Sequence, residues 1–119
     1  MTTQNKSCSF GRRIRELRVS KGMILRKAAA DLDIDQAVLS KIENGLLFPN
    51  NNLTEKIAAY YLVPGDDLKI LLYADKIMND YGNYPQARAV IETVHERLTG
   101  YSADSEKNQA DFPPADSKR

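Results

Sequence analysis

Two groups of carboxylates, Asp31 with Asp33 and Asp35, and Asp66 with Asp67, are the residues whose type and spacing could support acid–base or metal chemistry. Each would need a histidine or cysteine beside it to make a catalytic or metal-binding constellation. The chain has one of each. His95 stands in a helical pattern between Val94 and Glu96 and reads as a surface residue. Cys8 precedes the first helical pattern and reads as a partly exposed thiol. One cysteine allows neither an internal disulfide nor a cysteine-based zinc site. The carboxylates fall around a turn and at a helix start, where they serve as caps and favour the positive end of the helix dipole. No enzyme activity, no metal and no cofactor is expected.

Non-covalent recognition remains. From Met23 to Gly45, MILRKAAADLDIDQAVLSKIENG, two short helical patterns are joined by a tight turn, and the second has a polar face. This is the layout of a helix-turn-helix, whose second helix enters the major groove of DNA. The first pattern, Leu25–Leu32, turns Ala28, Ala29 and Leu32 inward, and the small alanines allow close approach of another helix. Asp33 occupies the turn position that needs left-handed backbone, which Asp tolerates better than most residues. Ile34 drops into the core. Asp35 is a suitable N-cap for Gln36–Asn44, whose inward residues are Leu39 and Ile42. Gly45 is placed as a left-handed C-cap.

The other elements supply a frame. Phe10, Ile14 and Leu17 repeat on one helical face, with Ser9 as a cap before them and Gly22 after the end. Leu46–Asn52 reads as a loop, with Pro49 and its asparagines as breakers. A fourth helix is expected over 53–62, with Leu53, Ile57 and Tyr61 inward. Val63, Pro64 and Gly65 break it. A fifth, DDLKILLYADKIMNDYG, carries more apolar residues than one stripe needs. Pro85 suits the first turn of a sixth, 85–98, with Ala87, Val90, Ile91, Val94 and Leu98 on its apolar face. The expected organisation is a flexible segment 1–8, a DNA-binding domain 9–82, an additional helix 83–99 for dimerisation and a disordered, polar tail 100–119.

The chain of 119 residues has the length of one domain. The sequence MTTQNKSCSF lacks the apolar run of a signal peptide, and no stretch approaches the roughly 18 apolar residues of a membrane span, so a cytoplasmic protein is expected. Net charge is +1, but its distribution is uneven. Residues 1–50 hold nine Lys/Arg against five Asp/Glu, and residues 51–119 hold eight against eleven. The basic half is the one that contains the helix-turn-helix pattern, as a nucleic-acid face would require.

FGRRIRELRVSKGM resembles the first helix of the phage-repressor-like (Cro/XRE) helix-turn-helix family. LRKAAADLDIDQAVLSKIENG resembles its helices two and three, and LTEKIAAYYLVPGDDL its helix four and the start of helix five. The resemblance covers about residues 10–72. It implies an all-α fold, a five-helix lambda-repressor-like helix-turn-helix bundle, here with an additional C-terminal helix. It also implies binding to double-stranded operator DNA, usually as a dimer. By motif position, Gln36, Ala37, Val38, Ser40 and Lys41 would lie on the outer face of the recognition helix. Gln36 could bond adenine bidentately and Lys41 reach guanine O6/N7. Ala37 or Val38 would pack on a thymine methyl. Asn44 and the amides near Gly45 would hold phosphate, and Arg26 adds to the basic field. Arg18 and Glu43 match positions that form a partly buried, structural ion pair.

Three positions depart from the family pattern. Leu25 stands where many members have a DNA-contacting Gln, and Asp33 replaces the usual turn glycine. Leu46, Leu47 and Phe48 replace basic residues; they would pack under helix four or form a subunit interface. Helices five and six offer Leu71, Ile77, Met78, Val90, Ile91, Val94 and Leu98, more than a five-helix domain buries. A homodimer built on them is expected, the alternative being that helix six folds back as an extra core layer. The expected function is a sequence-specific transcriptional regulator, a dimeric repressor or autoregulator on a palindromic operator. The alternative is an antitoxin or interaction protein that binds a partner protein such as a toxin.

Overall fold

In the computed structural model, which describes residues 9–101, every regular element is a helix: α1 Phe10–Ser20, α2 Leu25–Leu32, α3 Gln36–Glu43, α4 Asn51–Tyr61, α5 Gly65–Tyr81 and α6 Ala87–Tyr101. The expected segment 1–8, Cys8 with it, and most of the expected tail lie outside the described residues. The chain divides after Asp80 into two units.

The first unit holds α1 to α4 and nearly all of α5. Helix α1 starts where its first amides find partners. The Ser9 side chain accepts from the Arg12 N–H at 3.1 Å, and Asp75 on α5 accepts from the Phe10 N–H at 2.9 Å. Both amides belong to the set that a helix start leaves unpaired. Helix α4 begins two residues before the expected Leu53. Asn50, read as a breaker, is its N-cap and accepts from the Leu53 N–H at 2.8 Å. That helix ends on Leu62 in the left-handed conformation, with φ 60°. No glycine stands there; Gly65 instead opens α5.

All five helices contribute to one core. Phe10, Ile14 and Leu17 meet Ala28, Ala29 and Leu32, Leu39 and Ile42, Ile57, Ala58 and Tyr61, and Leu68 and Leu72. The inward stripes expected for α1, α2 and α3 are the buried ones. At α4, Ala58 and Thr54 join Ile57 and Tyr61, while Leu53 is only partly buried. Gly11 lies where α1 crosses the end of α3. A Cβ there would collide with the backbone carbonyl of Ile42 and stand 2.6 Å from that of Glu43.

The second unit holds the turn after α5 and helix α6. The Ala87 N–H donates to the Tyr84 carbonyl at 3.0 Å, so Pro85 is the second residue of a turn, a position its fixed φ suits. Helix α6 therefore starts at Ala87 and not at Pro85. It also runs through Gly100 to Tyr101, into the segment expected to be disordered. No residue from Tyr81 to Gly100 is buried.

Candidate nucleic-acid interface

The angle between α2 and α3 is set by three residues. Asp33 is left-handed, with φ 62° and ψ 45°. The Asp33 and Ile34 amides return to the Ala30 and Ala29 carbonyls, each at 3.0 Å, which closes the end of α2. Asp35 then takes extended backbone at the start of α3, but its carboxylate makes no capping hydrogen bond. A side chain 24 positions further on completes the turn: the Lys56 ammonium on α4 donates to the Leu32 carbonyl at 2.9 Å. That cation satisfies a carbonyl at the negative end of the α2 dipole.

The far end of α3 is clamped by Arg18. Its Nε and Nη2 donate to the two Glu43 carboxylate oxygens at 2.8 and 3.0 Å, and its Nη1 donates to the Met23 carbonyl at 3.0 Å. One guanidinium thus ties the end of α1 to the α1–α2 loop and to α3. The side chains are 12% and 4% exposed, so this is a buried, bidentate pair. The carboxylate holds the Arg18 pKa above its ordinary value. The nearby Tyr61 hydroxyl is buried and has no hydrogen-bond partner among the described residues. Burial first, and then the Glu43 charge, push its phenol up to about 12.

With Leu39, Ile42 and Glu43 facing inward, the remaining residues of α3 form its outer side. Gln36, Ala37 and Lys41 are exposed, and Ser40 and Val38 are half-buried. Val38 packs against the core with part of its side chain. Asn44 is exposed, yet its amide folds back to the Ser40 carbonyl at 3.0 Å and the Ser40 hydroxyl at 3.4 Å. The amides near Gly45 are engaged as well. Gly45 and Leu46 donate to the Ile42 and Lys41 carbonyls at 3.1 and 2.8 Å, closing α3 at a glycine with φ 77°. Of the amides expected to face phosphate, these two are therefore already satisfied.

Arg26 is exposed at the start of α2. Among the described residues neither it nor Lys41 has an ion-pair partner, whereas Lys27 is held by Asp31 at 3.0 Å. Asp31 also accepts from the Tyr60 hydroxyl at 2.6 Å. These bonds, Tyr60 first and Lys27 second, hold its carboxyl below the usual range. Of the three apolar residues after Gly45, Phe48 packs on the core while Leu46 and Leu47 are exposed. Sequence reasoning missed Gly11, Asn50, Lys56 and Asp75. Only Asn50, three residues before the amide it caps, left a local signal.

A short helix, a left-handed turn and a second short helix with an exposed outer face define a helix-turn-helix protein. The family model described as a helix-turn-helix domain matches residues 9–71, more than half of the chain. The chain belongs to that family, in keeping with the Cro/XRE resemblance, and is a DNA-binding regulator on an all-α bundle. No curated protein and no solved structure gives a significant match. No helix of the described residues is long and apolar enough to cross a membrane.

Proposed function

We propose that the protein is a sequence-specific regulator, a dimeric repressor or autoregulator, that places α3 in the major groove of a palindromic operator. The observation that carries this reading is the division of α3 into two sides. Leu39, Ile42 and the clamped Glu43 fix it to the bundle, while Gln36, Ala37 and Lys41 stay exposed. Gln36 and Lys41 are the residues that read base edges, a Gln on adenine and a Lys on guanine. Ala37 and the exposed part of Val38 meet thymine methyls. Arg26 contacts phosphate from the start of α2. Ser40 and Asn44, bonded to each other, line the backbone side of the groove. Residues 9–82 form the DNA-binding domain, and 83–99 serve dimerisation. Two recognition helices in successive major grooves require half-sites about 34 Å apart.

Selection from a random-sequence duplex library tests this reading. Enrichment of a two-fold symmetric sequence, its half-sites about one helical turn apart, is the expected result. Enrichment of no sequence overturns the reading. Lys41→Ala should then weaken the selected site by about 1–3 kcal/mol and leave non-specific DNA nearly unchanged. Equal losses on both would reduce Lys41 to a phosphate contact.

A further inference from the structure

The region around the turn between α2 and α3 carries three carboxylates, and the fold accounts for two of them. Asp31 accepts from Tyr60 and Lys27. Asp33 serves through its backbone, left-handed at φ 62°. Asp35 has the position of an N-cap, whose side chain ordinarily accepts from the second or third amide of the helix. Here it does not. The third amide, that of Val38, and the Leu39 amide both return to the Asp35 carbonyl, at 3.0 and 3.1 Å, so backbone alone closes the start of α3. The Asp35 carboxylate is exposed and has no hydrogen-bond or ion-pair partner among the described residues. Asp35 and Val38 border one open cleft, which puts the carboxylate beside a residue already read as a base contact.

A negative charge at that place opposes the approach to DNA. The duplex carries one negative charge per about 1.7 Å of its axis, and the first residues of a recognition helix are the ones that contact base edges. Asn or Ser would fill a cap position without the repulsion. What the carboxylate can gain follows from its chemistry. It only accepts hydrogen bonds, and the major groove offers two donors, the amino groups of cytosine and adenine. Beside the adenine amino group stands N7, an acceptor that repels a carboxylate. Beside that of cytosine stands only a C–H edge. Cytosine is thus the base that a carboxylate suits.

We infer that Asp35 is a specificity-determining residue, its carboxylate accepting from the N4 amino group of a cytosine in the half-site that Gln36 and Lys41 read. The inference rests on the DNA-binding reading above and adds to it a required base that those two residues do not supply. The test is selection from the random-sequence duplex library with the full chain, Asp35→Ala and Asp35→Asn. The wild-type consensus should contain a C·G pair that Asp35→Ala no longer prefers and Lys41→Ala still does, the other positions persisting. Asp35→Asn should change that pair to A·T, because an Asn bonds adenine N6 and N7. On the selected duplex, replacing the pair by T·A should weaken the wild type roughly tenfold and Asp35→Ala by less than about twofold. Asn caps a helix as well as Asp does, so a changed preference in that variant cannot come from loss of α3. If both variants select the wild-type sequence, the inference falls and the DNA reading stands. The same holds if Asp35→Ala binds every duplex more tightly with unchanged preference, since the carboxylate would then only repel phosphate. A wild type that enriches no sequence overturns the DNA reading and this inference with it.

Discussion

Glu43→Ala is the substitution that tests how α3 is held. It leaves the Arg18 guanidinium, 12% exposed, facing a cavity where a carboxylate had accepted two hydrogen bonds. An unpaired buried charge of this kind costs about 3–5 kcal/mol. The lower end applies, because Arg18 keeps its bond to the Met23 carbonyl. A unit of this size has roughly 4–10 kcal/mol of stability in total. At about 4–8 °C per kcal/mol, the melting temperature should fall by roughly 12–24 °C. Far-ultraviolet circular dichroism during heating is the assay. The double replacement Arg18→Met with Glu43→Leu leaves no charge behind and should recover most of the loss. Arg12→Ala, at an exposed pair with Glu16 spaced 3.6 Å apart, is the control. A loss below about 1 kcal/mol for Glu43→Ala, the range of surface ion pairs, would refute the reasoning. So would a double variant no more stable than the single one.

Gly11→Ala should destabilise by about 1–3 kcal/mol, because its methyl meets backbone carbonyls of Ile42 and Glu43 that cannot move aside cheaply; an unchanged urea midpoint would show that α1 shifts freely. Leu62→Gly should stabilise by about 0.5–1 kcal/mol, the net of relieving a left-handed Leu and loosening the unfolded chain. Leu62 is 82% exposed, so little packing is lost, and a drop in melting temperature would contradict this. Tyr60 and Tyr61 should both ionise near 12 in a spectrophotometric titration. Their folded pKa values lie above the ordinary 10, so the folded state binds more protons between those limits. Stability should therefore be full below about pH 10 and decline toward 12; if no tyrosine ionises near 12, the burial argument is wrong.

What could be read in the sequence was local. Ser9, Asp33 and Gly45 each act within a few residues of their own position, and each stands in the backbone role its type suggests. Asp35 was less transparent, since it occupies the cap position without making the cap bond. Asn50 and Pro85 were misjudged because one residue type has two uses: an asparagine that breaks one element can cap the next, and a proline that opens helices also fits the second position of a turn. The Arg18–Glu43 pair that holds the end of α3 followed from the family resemblance, but two other long-range bonds of the bundle were beyond sequence reasoning. Lys56 reaches Leu32 across 24 positions, and Asp75 reaches Phe10 across 65. Nothing in the residues near Gly11 announces that another helix passes there. The outer face of α3 was legible as a set, but its grading was not. Val38 is shared with the core, and Asn44 and Ser40 are bonded to each other.

The brevity of α3 has a wider consequence. Eight residues are too few to hold a helix in water without tertiary support. The outer face of α3 therefore exists only while the bundle does. Folding and DNA binding are then linked equilibria, and DNA at a hundred times its dissociation constant should raise the stability of the whole bundle by about 2.7 kcal/mol. Substitutions far from the outer face of α3, such as those at Gly11 or Lys56, would score as loss of DNA binding in a cell. Excess DNA would mask the milder ones. A genetic screen for inactive variants would thus map the core before it mapped the groove.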